Sequence, residues 1–299
     1  MTTARLAEVK HFAVHDGPGI RTTFFFKGCP LRCKWCHNPE TQTAAPELAL
    51  LANCVRCGRC AAFCDCHTVT ADGHTLDRAR CRACGKCVES CLHDALVLYG
   101  RQYTLDEMLA EAMLDRMFYG TSGGVTASGG EPLMQSAFVA EFFARLRAEK
   151  IHCALDTCGE VDWSAFEAVL PHTDMVLYDL KCMDPELHRK FTGRGPARLL
   201  ENLRRVSAAG IPVEIRMPII PGWNDSPALV ADAGRFLAGL PKPVVGVRLL
   251  AYHAFSHAKY QSIGHPDTMP DAPSPGRDDL LKLAAILTDH GVRVLEPGG

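Results

Sequence analysis

Three cysteines near the start of the chain have the residue type and spacing of a metal-cluster site. Cys29, Cys33 and Cys36 follow the pattern C-x3-C-x2-C, and we call them the triad. Thiolates select zinc, copper or iron–sulfur clusters, and a 4Fe–4S cluster is usually held by four cysteines. Because three cysteines leave one iron without a protein ligand, the triad predicts a cluster that can bind a small molecule. The alternative is a structural zinc site closed by His37 as a fourth ligand.

Eight further cysteines form two copies of the pattern C-x2-C-x2-C-x3-C, which is the run of bacterial ferredoxins. In two-cluster ferredoxins the fourth cysteine of each run ligates the other cluster. We therefore predict two more 4Fe–4S clusters. The first set of ligands is Cys54, Cys57, Cys60 and Cys91, and the second set is Cys81, Cys84, Cys87 and Cys64. A pair of zinc knuckles is the alternative.

The cysteine count leaves one ligand open. Asp65 follows Cys64 where a ferredoxin run has proline, and Cys66 comes next, so Cys66 competes with Cys64 as a ligand. The triad and the two sets use eleven of the fifteen cysteines. The others are Cys66, Cys153, Cys158 and Cys182. We interpret Cys153 and Cys158 as core or rim residues without a redox role.

Composition places the chain among ordinary globular proteins of the cytoplasm. It has 299 residues, 47% of them hydrophobic, and a net charge of −2, so nothing favours nucleic acid or an anionic membrane as a partner. The sequence lacks an apolar stretch long enough to span a bilayer and lacks the apolar region of a secretory signal. In a reducing cytoplasm so many cysteines indicate metal ligands rather than disulfides, and iron–sulfur ligands would favour an anaerobic setting.

Strand–helix alternation predicts the main fold. Two strands flank a turn at residues 16–19, and Thr104 opens a helix to about 119 with a capping-box pattern. Strands then alternate with helices, a long loop follows residue 252, and we expect a last helix at 277–290 and a last strand at 292–295. About six such units are fewer than the eight of a closed barrel.

We therefore predict an α/β protein, a partial (β/α)6 TIM-type barrel with an inserted ferredoxin-like domain for two 4Fe–4S clusters. The barrel core takes residues 1–48 and 100–299, and the insert takes 49–99. The insert is so rich in cysteine and so poor in apolar residues that its folding should require its metal.

Polar residues follow several predicted strands at the rim that also carries the triad. In barrels of this type, sites are built at the carboxyl ends of the strands. Each residue has an ordinary alternative, such as a surface turn or a structural ion pair, but the joint pattern favours a binding site. These residues are Gly129, Gly130 and Glu131, Asp156 and Thr157, Asp179 and Lys181, Arg216, and His253.

The triad, together with Asp16-Gly-Pro-Gly-Ile-Arg21 before it and His37-Asn-Pro39 after it, resembles the radical S-adenosylmethionine (SAM) superfamily. More narrowly, it is similar to the activating enzymes of glycyl radical enzymes. The similarity extends from about residue 10 to 260. The run Ser122-Gly123-Gly124 is one glycine shorter than the family pattern. The resemblance implies a SAM-binding cluster on the triad, with Asp16 and Lys181 among the catalytic residues.

The resemblance also implies how SAM is held. Trp35 and His37 lie where the adenine is flanked, and His253 matches a residue that contacts the ribose. The run Gly129–Glu131 matches the motif that holds the methionine amino group.

Further matches concern the methionine carboxylate. Asp179 and Lys181 match a pair near that carboxylate, and Arg216 matches a basic residue near the same ligand. Asp156 and Thr157 match residues that hold a monovalent cation, which the resemblance allows as an additional cofactor.

The activity that the resemblance implies is reductive cleavage of SAM to methionine and a 5′-deoxyadenosyl radical, which takes hydrogen from the Cα of one glycine in a large partner enzyme. Relatives with the insert activate dehydratases, decarboxylases and C–N, C–S or C–C lyases. Flavodoxin or ferredoxin is the implied electron donor, and we expect a monomer.

One alternative is a radical SAM enzyme that acts on a small molecule or peptide; a non-enzymatic alternative is a ferredoxin-like electron carrier.

Overall fold

Strand–helix units alternate through most of the computed structural model, which describes residues 2–296. The strands are β1 (Thr3–Ala13), β2 (Arg21–Phe26), β3 (Glu47–Leu50), β4 (His67–Val69), β5 (His74–Leu76), β6 (Leu96–Tyr99), β7 (Arg101–Thr104), β8 (Gly124–Gly129), β9 (His152–Thr157), β10 (Met175–Asp179), β11 (Val213–Ile219) and β12 (Gly246–Ala251). The helices are α1 (Arg59–Phe63), α2 (Lys86–Glu89), α3 (Leu105–Leu114), α4 (Ser136–Ala148), α5 (Trp163–Val169), α6 (Pro185–Thr192), α7 (Ala197–Ala209), α8 (Pro227–Ala238), α9 (His257–Ile263) and α10 (Arg277–Asp289).

The main sheet has eight strands in the order β12-β11-β10-β9-β8-β2-β1-β7. From β2 through β8 to β12, neighbouring strands are parallel, and β1 is antiparallel to both β2 and β7. The prediction of a parallel sheet built from about six strand–helix units is confirmed. Because the strands are parallel, the carboxyl ends of β2 and β8–β12 meet at one edge, as the site prediction requires.

Apolar faces of the helices cover the sheet. Phe24 of β2 packs edge-on against Phe142 of α4 at 5.0 Å between ring centroids, and both side chains are fully buried. Aromatic side chains bury a large apolar area, and this contact fixes α4 over the strand that leads into the triad. None of the helices in residues 2–296 has the length and apolar character that crossing a membrane needs.

The start of α3 confirms the predicted capping box. The Thr104 hydroxyl accepts a hydrogen bond from the Glu107 amide at 3.3 Å, and the Glu107 carboxylate accepts one from the Thr104 amide at 2.8 Å. The helix ends at Leu114, and a short 3-10 turn, Arg116–Phe118, completes the segment predicted as one helix.

Two expectations near the carboxyl terminus are wrong. The loop predicted after residue 252 contains α9, a helix that is too short and too rich in polar residues to show a clear apolar period. The strand predicted at 292–295 is a single parallel bridge between Val294 and Val247, because the chain after α10 touches the edge of β12 only briefly.

The cysteine-rich insert forms two small antiparallel sheets and two short helices. β3 pairs with β6 and β4 pairs with β5, and the β3–β6 sheet begins at Glu47, two residues before the predicted boundary. Arg78 joins the insert to α9, because its guanidinium donates to the carbonyl oxygens of Leu48 and Ser262.

Candidate active site

The triad lies on a loop directly after β2, and backbone hydrogen bonds from two sides fix that loop. The Cys29 amide donates to the Gln42 carbonyl at 3.1 Å, and the Arg32 amide donates to the Thr192 carbonyl, at the end of α6, at 2.7 Å. These backbone hydrogen bonds therefore set the loop conformation without a disulfide between the thiols.

The three thiols are half-buried and differ in their proton affinity. Burial raises the pKa of Cys33 to about 12 and that of Cys36 to about 11. A hydrogen bond with Cys158 lowers the pKa of Cys29, and Lys181 lowers it further. Because metals bind thiolates, loading the triad must release protons from Cys33 and Cys36.

The turn after β8 explains why two glycines stand beside the triad. A Cβ at Gly129 would lie 2.4 Å from the Phe26 amide nitrogen, and one at Gly130 would lie 2.3 Å from the Gly28 carbonyl oxygen. The amides of Gly130 and Glu131 donate to the carbonyls of Phe26 and Gly28 at 2.9 and 2.8 Å. The glycines thus let the end of β8 lie directly against the backbone that precedes Cys29.

The Glu131 carboxylate is fully buried and is already satisfied by protein groups. It accepts hydrogen bonds from the Thr157 hydroxyl at 2.8 and 2.9 Å, from the Cys158 amide at 2.8 Å and from the Leu133 amide at 3.1 Å. Burial raises its pKa, and these bonds oppose that effect. Glu131 therefore ties the end of β8 to the end of β9.

Asp156 is a largely buried acid whose pKa lies within the physiological range. Its carboxylate accepts from the Ser128 hydroxyl at 2.6 Å and lies 3.4 Å from a guanidinium nitrogen of Arg216. Burial raises the pKa of Asp156 to about 6, although Arg216 lowers it. Asp156 therefore ionises just below neutral pH, which suits an acid that holds a cation only when charged.

Arg216 lies at the centre of the polar rim. Its second guanidinium nitrogen donates to the His15 carbonyl at 2.6 Å, which links β11 to the loop that contains Asp16. Burial opposes its charge, but the carboxylates of Asp156, Asp179 and Asp16 outweigh that effect and raise its pKa. The acidic partner of this buried arginine is Asp156.

Asp179 and Lys181 form an ion pair, with 2.6 Å between Nζ and Oδ2, which is the ordinary alternative that the sequence left open for these residues. Burial disfavours the lysine charge, but Asp179 outweighs it and raises the pKa of Lys181 well above its usual range. Cys33 and Cys158 act on Lys181 in the same direction. Lys181 is therefore a permanent positive charge beside the triad.

The loop between β1 and β2 brings Asp16 to the same interior. The Asp16 carboxylate accepts from Thr23 at 2.9 Å, and its carbonyl accepts from the Thr126 hydroxyl at 2.6 Å. Arg21 holds this loop in place, because its guanidinium donates hydrogen bonds to the Thr126 hydroxyl and to the Pro18 carbonyl. Burial lowers the pKa of Arg21 to about 10, so it stays charged.

His37 and His253 stack face to face, with ring centroids 4.0 Å apart and 21° between the planes. Burial, and then His253, lower the pKa of His37 to about 4, so the ring is neutral at pH 7. His37 Nε2 and His253 Nδ1 are buried and have no hydrogen-bond partner among residues 2–296. A buried polar atom without a partner needs an explanation, such as a bound ligand, water or ion.

Trp35 is used in packing. Its ring is 4% exposed and lies 5.6 Å from Phe191 and 6.2 Å from Trp223, centroid to centroid. The role beside the adenine stays a prediction.

In the insert, the four cysteines of the predicted first set lie close together. Cys54, Cys57, Cys60 and Cys91 line one cavity together with His74. Cys91 comes from the second run, so the exchange of fourth cysteines expected from the sequence agrees with the lining of this cavity.

The second set is gathered as well. Burial raises the pKa of Cys87 to about 11, and the nearby thiols of Cys64, Cys81 and Cys84 raise it further. Cys66 is buried and its sulfur lies within 4.8 Å of that of Cys64, so the choice between these two ligands stays open.

The sequence places Cys158 in the core or at the rim, and in the structure it is buried and lowers the pKa of the Cys29 thiol. Its lack of a redox role stays a prediction. Sequence reasoning missed one contributor to the rim, the helix α9. Its Lys259 binds Glu40 at 2.7 Å, and the preceding Ser256 donates to the His37 carbonyl at 3.3 Å.

The residues present fit a cluster and SAM. Three thiols share one fixed loop, a lysine beside them offsets thiolate charge, and two imidazole nitrogens lack partners at the same rim. An open iron would accept the amino and carboxylate groups of a ligand at that rim.

Comparison with known proteins identifies the family. The radical SAM superfamily profile matches residues 23–232. An isethionate sulfite-lyase activating enzyme of Oleidesulfovibrio alaskensis is 42% identical, over 87% of this chain and 86% of that protein. A benzylsuccinate synthase activating enzyme of Thauera aromatica is 40% identical, over 97% and 91% of the two chains.

Among solved structures, a domain of a pyruvate-formate lyase-activating enzyme from Bacteroides vulgatus is similar with a TM-score of 0.51. It is 31% identical, and the match covers 59% of this chain and 99% of that domain. Members of the matched family use a 4Fe–4S cluster and SAM, for which the triad and its rim provide the residues. The chain belongs to the radical SAM superfamily.

Proposed function

We propose that this chain is a glycyl radical enzyme activating enzyme. One observation carries the proposal. The triad thiols lie at the same edge of the sheet as the Asp156–Arg216 and Asp179–Lys181 pairs. Activating enzymes of two different partners are 40–42% identical to most of this chain, which supports the activating class without choosing one partner.

The cofactors supply the bond-breaking chemistry. Cys29, Cys33 and Cys36 would hold a 4Fe–4S cluster that, once reduced, would supply the electron for cleavage of SAM to methionine and a 5′-deoxyadenosyl radical, and that radical would take a hydrogen atom from a glycine Cα of the partner. The protein binds SAM, fixes its orientation and excludes water.

The adenosine part of SAM is assigned to the two stacked histidines. Their partnerless nitrogens, His37 Nε2 and His253 Nδ1, can bind base and ribose atoms. Trp35 supports this region from the aromatic cluster behind the loop.

The methionine part of SAM is assigned to the turn after β8 and to the charged rim. Carbonyl oxygens of Gly129 and Gly130 are the acceptors for the amino group, and Glu131 holds that turn in place through Thr157. Lys181, paired with Asp179, and Arg216 offer positive charge to the carboxylate.

A monovalent cation is assigned to Asp156 and the backbone of Thr157. The Thr157 hydroxyl is directed toward Glu131, so the ionised Asp156 carboxylate is the main cation ligand. Asp16, held by Thr23 and Thr126, lies in the same interior and is assigned to the glycine loop of the partner.

We also propose a ferredoxin-like insert with two clusters, and thus three clusters in all. Its support is the single cavity lined by the first set and the grouping of the second set around Cys87. The core then covers residues 1–48 and 100–299 in a partial-barrel arrangement, and a flavodoxin or ferredoxin supplies electrons to a monomer.

Anaerobic reconstitution and a cleavage assay test the proposal. We expect about twelve irons per chain, from three 4Fe–4S clusters. SAM cleavage by a low-potential reductant should be abolished by Cys33→Ala and retained by the matched control Cys182→Ala, a buried cysteine outside all three ligand sets. Cleavage that survives Cys33→Ala would refute the catalytic assignment. Cys84→Ala should spare the triad cluster.

The partner class is tested separately. We expect the neighbouring reading frame to encode a large enzyme with a C-terminal glycine loop; the wild-type chain is mixed anaerobically with that enzyme, and a glycyl doublet is sought by electron spin resonance. Rapid formation of 5′-deoxyadenosine without a partner, together with conversion of a small molecule or peptide, would favour the alternative radical SAM reaction.

A further inference from the structure

Two histidines lie among the cysteines of the first set, and neither belongs to the predicted ligands. His74 lines the same cavity as Cys54, Cys57, Cys60 and Cys91. Its Nδ1 is 3.2 Å from Cys54 Sγ, and its Nε2 is 3.7 Å from Cys60 Sγ. The ring therefore touches two predicted ligand atoms of one cluster.

We propose that His74 donates a hydrogen bond from Nδ1 to the Cys54 thiolate, that His67 fixes the tautomer which allows this, and that the bond raises the reduction potential of the first-set cluster. The inference rests on the proposed two-cluster insert. His74 acts through Cys54 and is thus a positioning residue.

The pair of histidines selects one proton arrangement. His67 Nδ1 is 2.9 Å from His74 Nε2, which is a short contact for two ring nitrogens and requires one N–H between them. If His67 carries its proton on Nδ1, this N–H donates a hydrogen bond to His74 Nε2. The single N–H of neutral His74 then lies on Nδ1, facing Cys54. His67 is 5% exposed, and its Nε2 has no hydrogen-bond partner among residues 2–296, as expected for the ring nitrogen without a proton.

The two sets differ in this respect. A thiol of the second set, Cys81, accepts a hydrogen bond from the backbone amide of Ala83 at 3.4 Å. Among the hydrogen bonds of residues 2–296, no histidine contacts a sulfur of the second set. Hydrogen bonds to cluster sulfurs stabilise the more negative, reduced state and raise the potential. The histidine therefore makes the two sets electrically unequal although their cysteine spacing is the same.

The test measures potentials in the full chain. Cys29→Ala, Cys33→Ala and Cys36→Ala are combined so that only the insert clusters titrate, and reduction is followed by electron spin resonance. In this background His74→Phe should lower the reduction potential of one of the two insert clusters by about 59 mV, which for one electron is a tenfold change in the redox equilibrium constant. His74→Asn, which keeps an N–H near the Nδ1 position, should restore it, and about eight irons should remain in each variant.

Several results would overturn the inference. These are an unchanged potential in His74→Phe, an equal shift in His74→Asn, or zinc in place of iron in the wild-type insert. Zinc would mean that Cys60, His67 and His74, whose ligand atoms lie within 4.8 Å of one another, form a mononuclear site.

If His74→Phe loses iron, the cluster potential is measured in His67→Ala instead. This variant keeps His74 and removes only the group that fixes its tautomer. A smaller shift in the same direction supports the inference, and no shift overturns it. Failure of SAM cleavage by the wild-type chain would refute the proposed function but would leave these potentials measurable.

Discussion

Replacing Arg216 with methionine should move the pH at which SAM binding becomes cation-dependent. In the wild-type chain Asp156 has a pKa of about 6, so its carboxylate is charged at pH 7 and can hold a monovalent cation. Arg216 is the main group that keeps this pKa from rising further. Without it, burial dominates and Asp156 takes up a proton at neutral pH.

The distance between the two groups sets the size of the effect. At the 3.4 Å separation of Arg216 and Asp156, Coulomb's law gives about 5 kcal/mol for an effective dielectric constant of 20. If screening removes about two-thirds of that energy, about 1.6 kcal/mol remains, which is more than the 1.36 kcal/mol of one pKa unit. The pKa of Asp156 in Arg216→Met should therefore exceed 7.

Equilibrium dialysis of SAM between pH 5 and pH 9 measures this, in potassium buffer and in tetramethylammonium buffer. Wild-type affinity in potassium should rise as pH increases through about 6, because the ionised carboxylate binds the cation. In Arg216→Met the rise should lie above pH 7, and Arg216→Lys, which keeps the charge, should remain near wild type. A uniform loss of affinity would reflect only lost contact with SAM. The reasoning fails if the rise in Arg216→Met occurs at the wild-type pH.

Three further changes test other parts of the structure. Cys64→Ala should remove about four irons per chain whereas Cys66→Ala should remove none, and the opposite result in iron analysis would exchange the two ligands. Arg21→Met should lower the thermal midpoint and weaken SAM cleavage, because the loop of Asp16 loses its support and at least one charged hydrogen bond, worth about 1.5–3 kcal/mol, is lost. Thr104→Ala should cost about 1 kcal/mol of stability through the lost cap of α3, seen in the same melting experiment with cleavage unchanged.

The sequence predicted what depends on short-range spacing. The capping box at Thr104 needs only four consecutive residues, and both of its hydrogen bonds are present. Asp179 and Lys181 are two positions apart at the end of a strand, so the sequence places them on one face, and they contact each other there at 2.6 Å. The regular change from strand to helix also predicted the parallel order of the sheet, because such connections leave few alternatives.

Side-chain direction at the rim could not be predicted in the same way. The run Gly129–Glu131 does not reveal where the Glu131 carboxylate points, and in the structure that carboxylate accepts hydrogen bonds from Thr157 and Cys158. That direction depends on how β8 and β9 meet. The position of Trp35 in an aromatic cluster likewise depends on Phe191, which is more than a hundred residues away in sequence. Tertiary contacts of this kind leave no local pattern.

The different surroundings of the cysteine sets suggest how the chain separates two tasks. The triad cysteines are half-buried beside a permanent positive charge on Lys181, whereas Cys57 and Cys84 of the insert are exposed. Solvent exposure and hydrogen bonds to sulfur both change cluster potentials. An exposed thiolate ligand also allows another protein to approach within contact distance of its metal. We therefore expect an electron-donor protein to dock at the exposed face of the insert, while the triad rim remains available for SAM and the glycine loop. Charge reversal at Arg56 and Arg59, the exposed neighbours of Cys57, should then slow reduction by an acidic donor protein but not by a small chemical reductant.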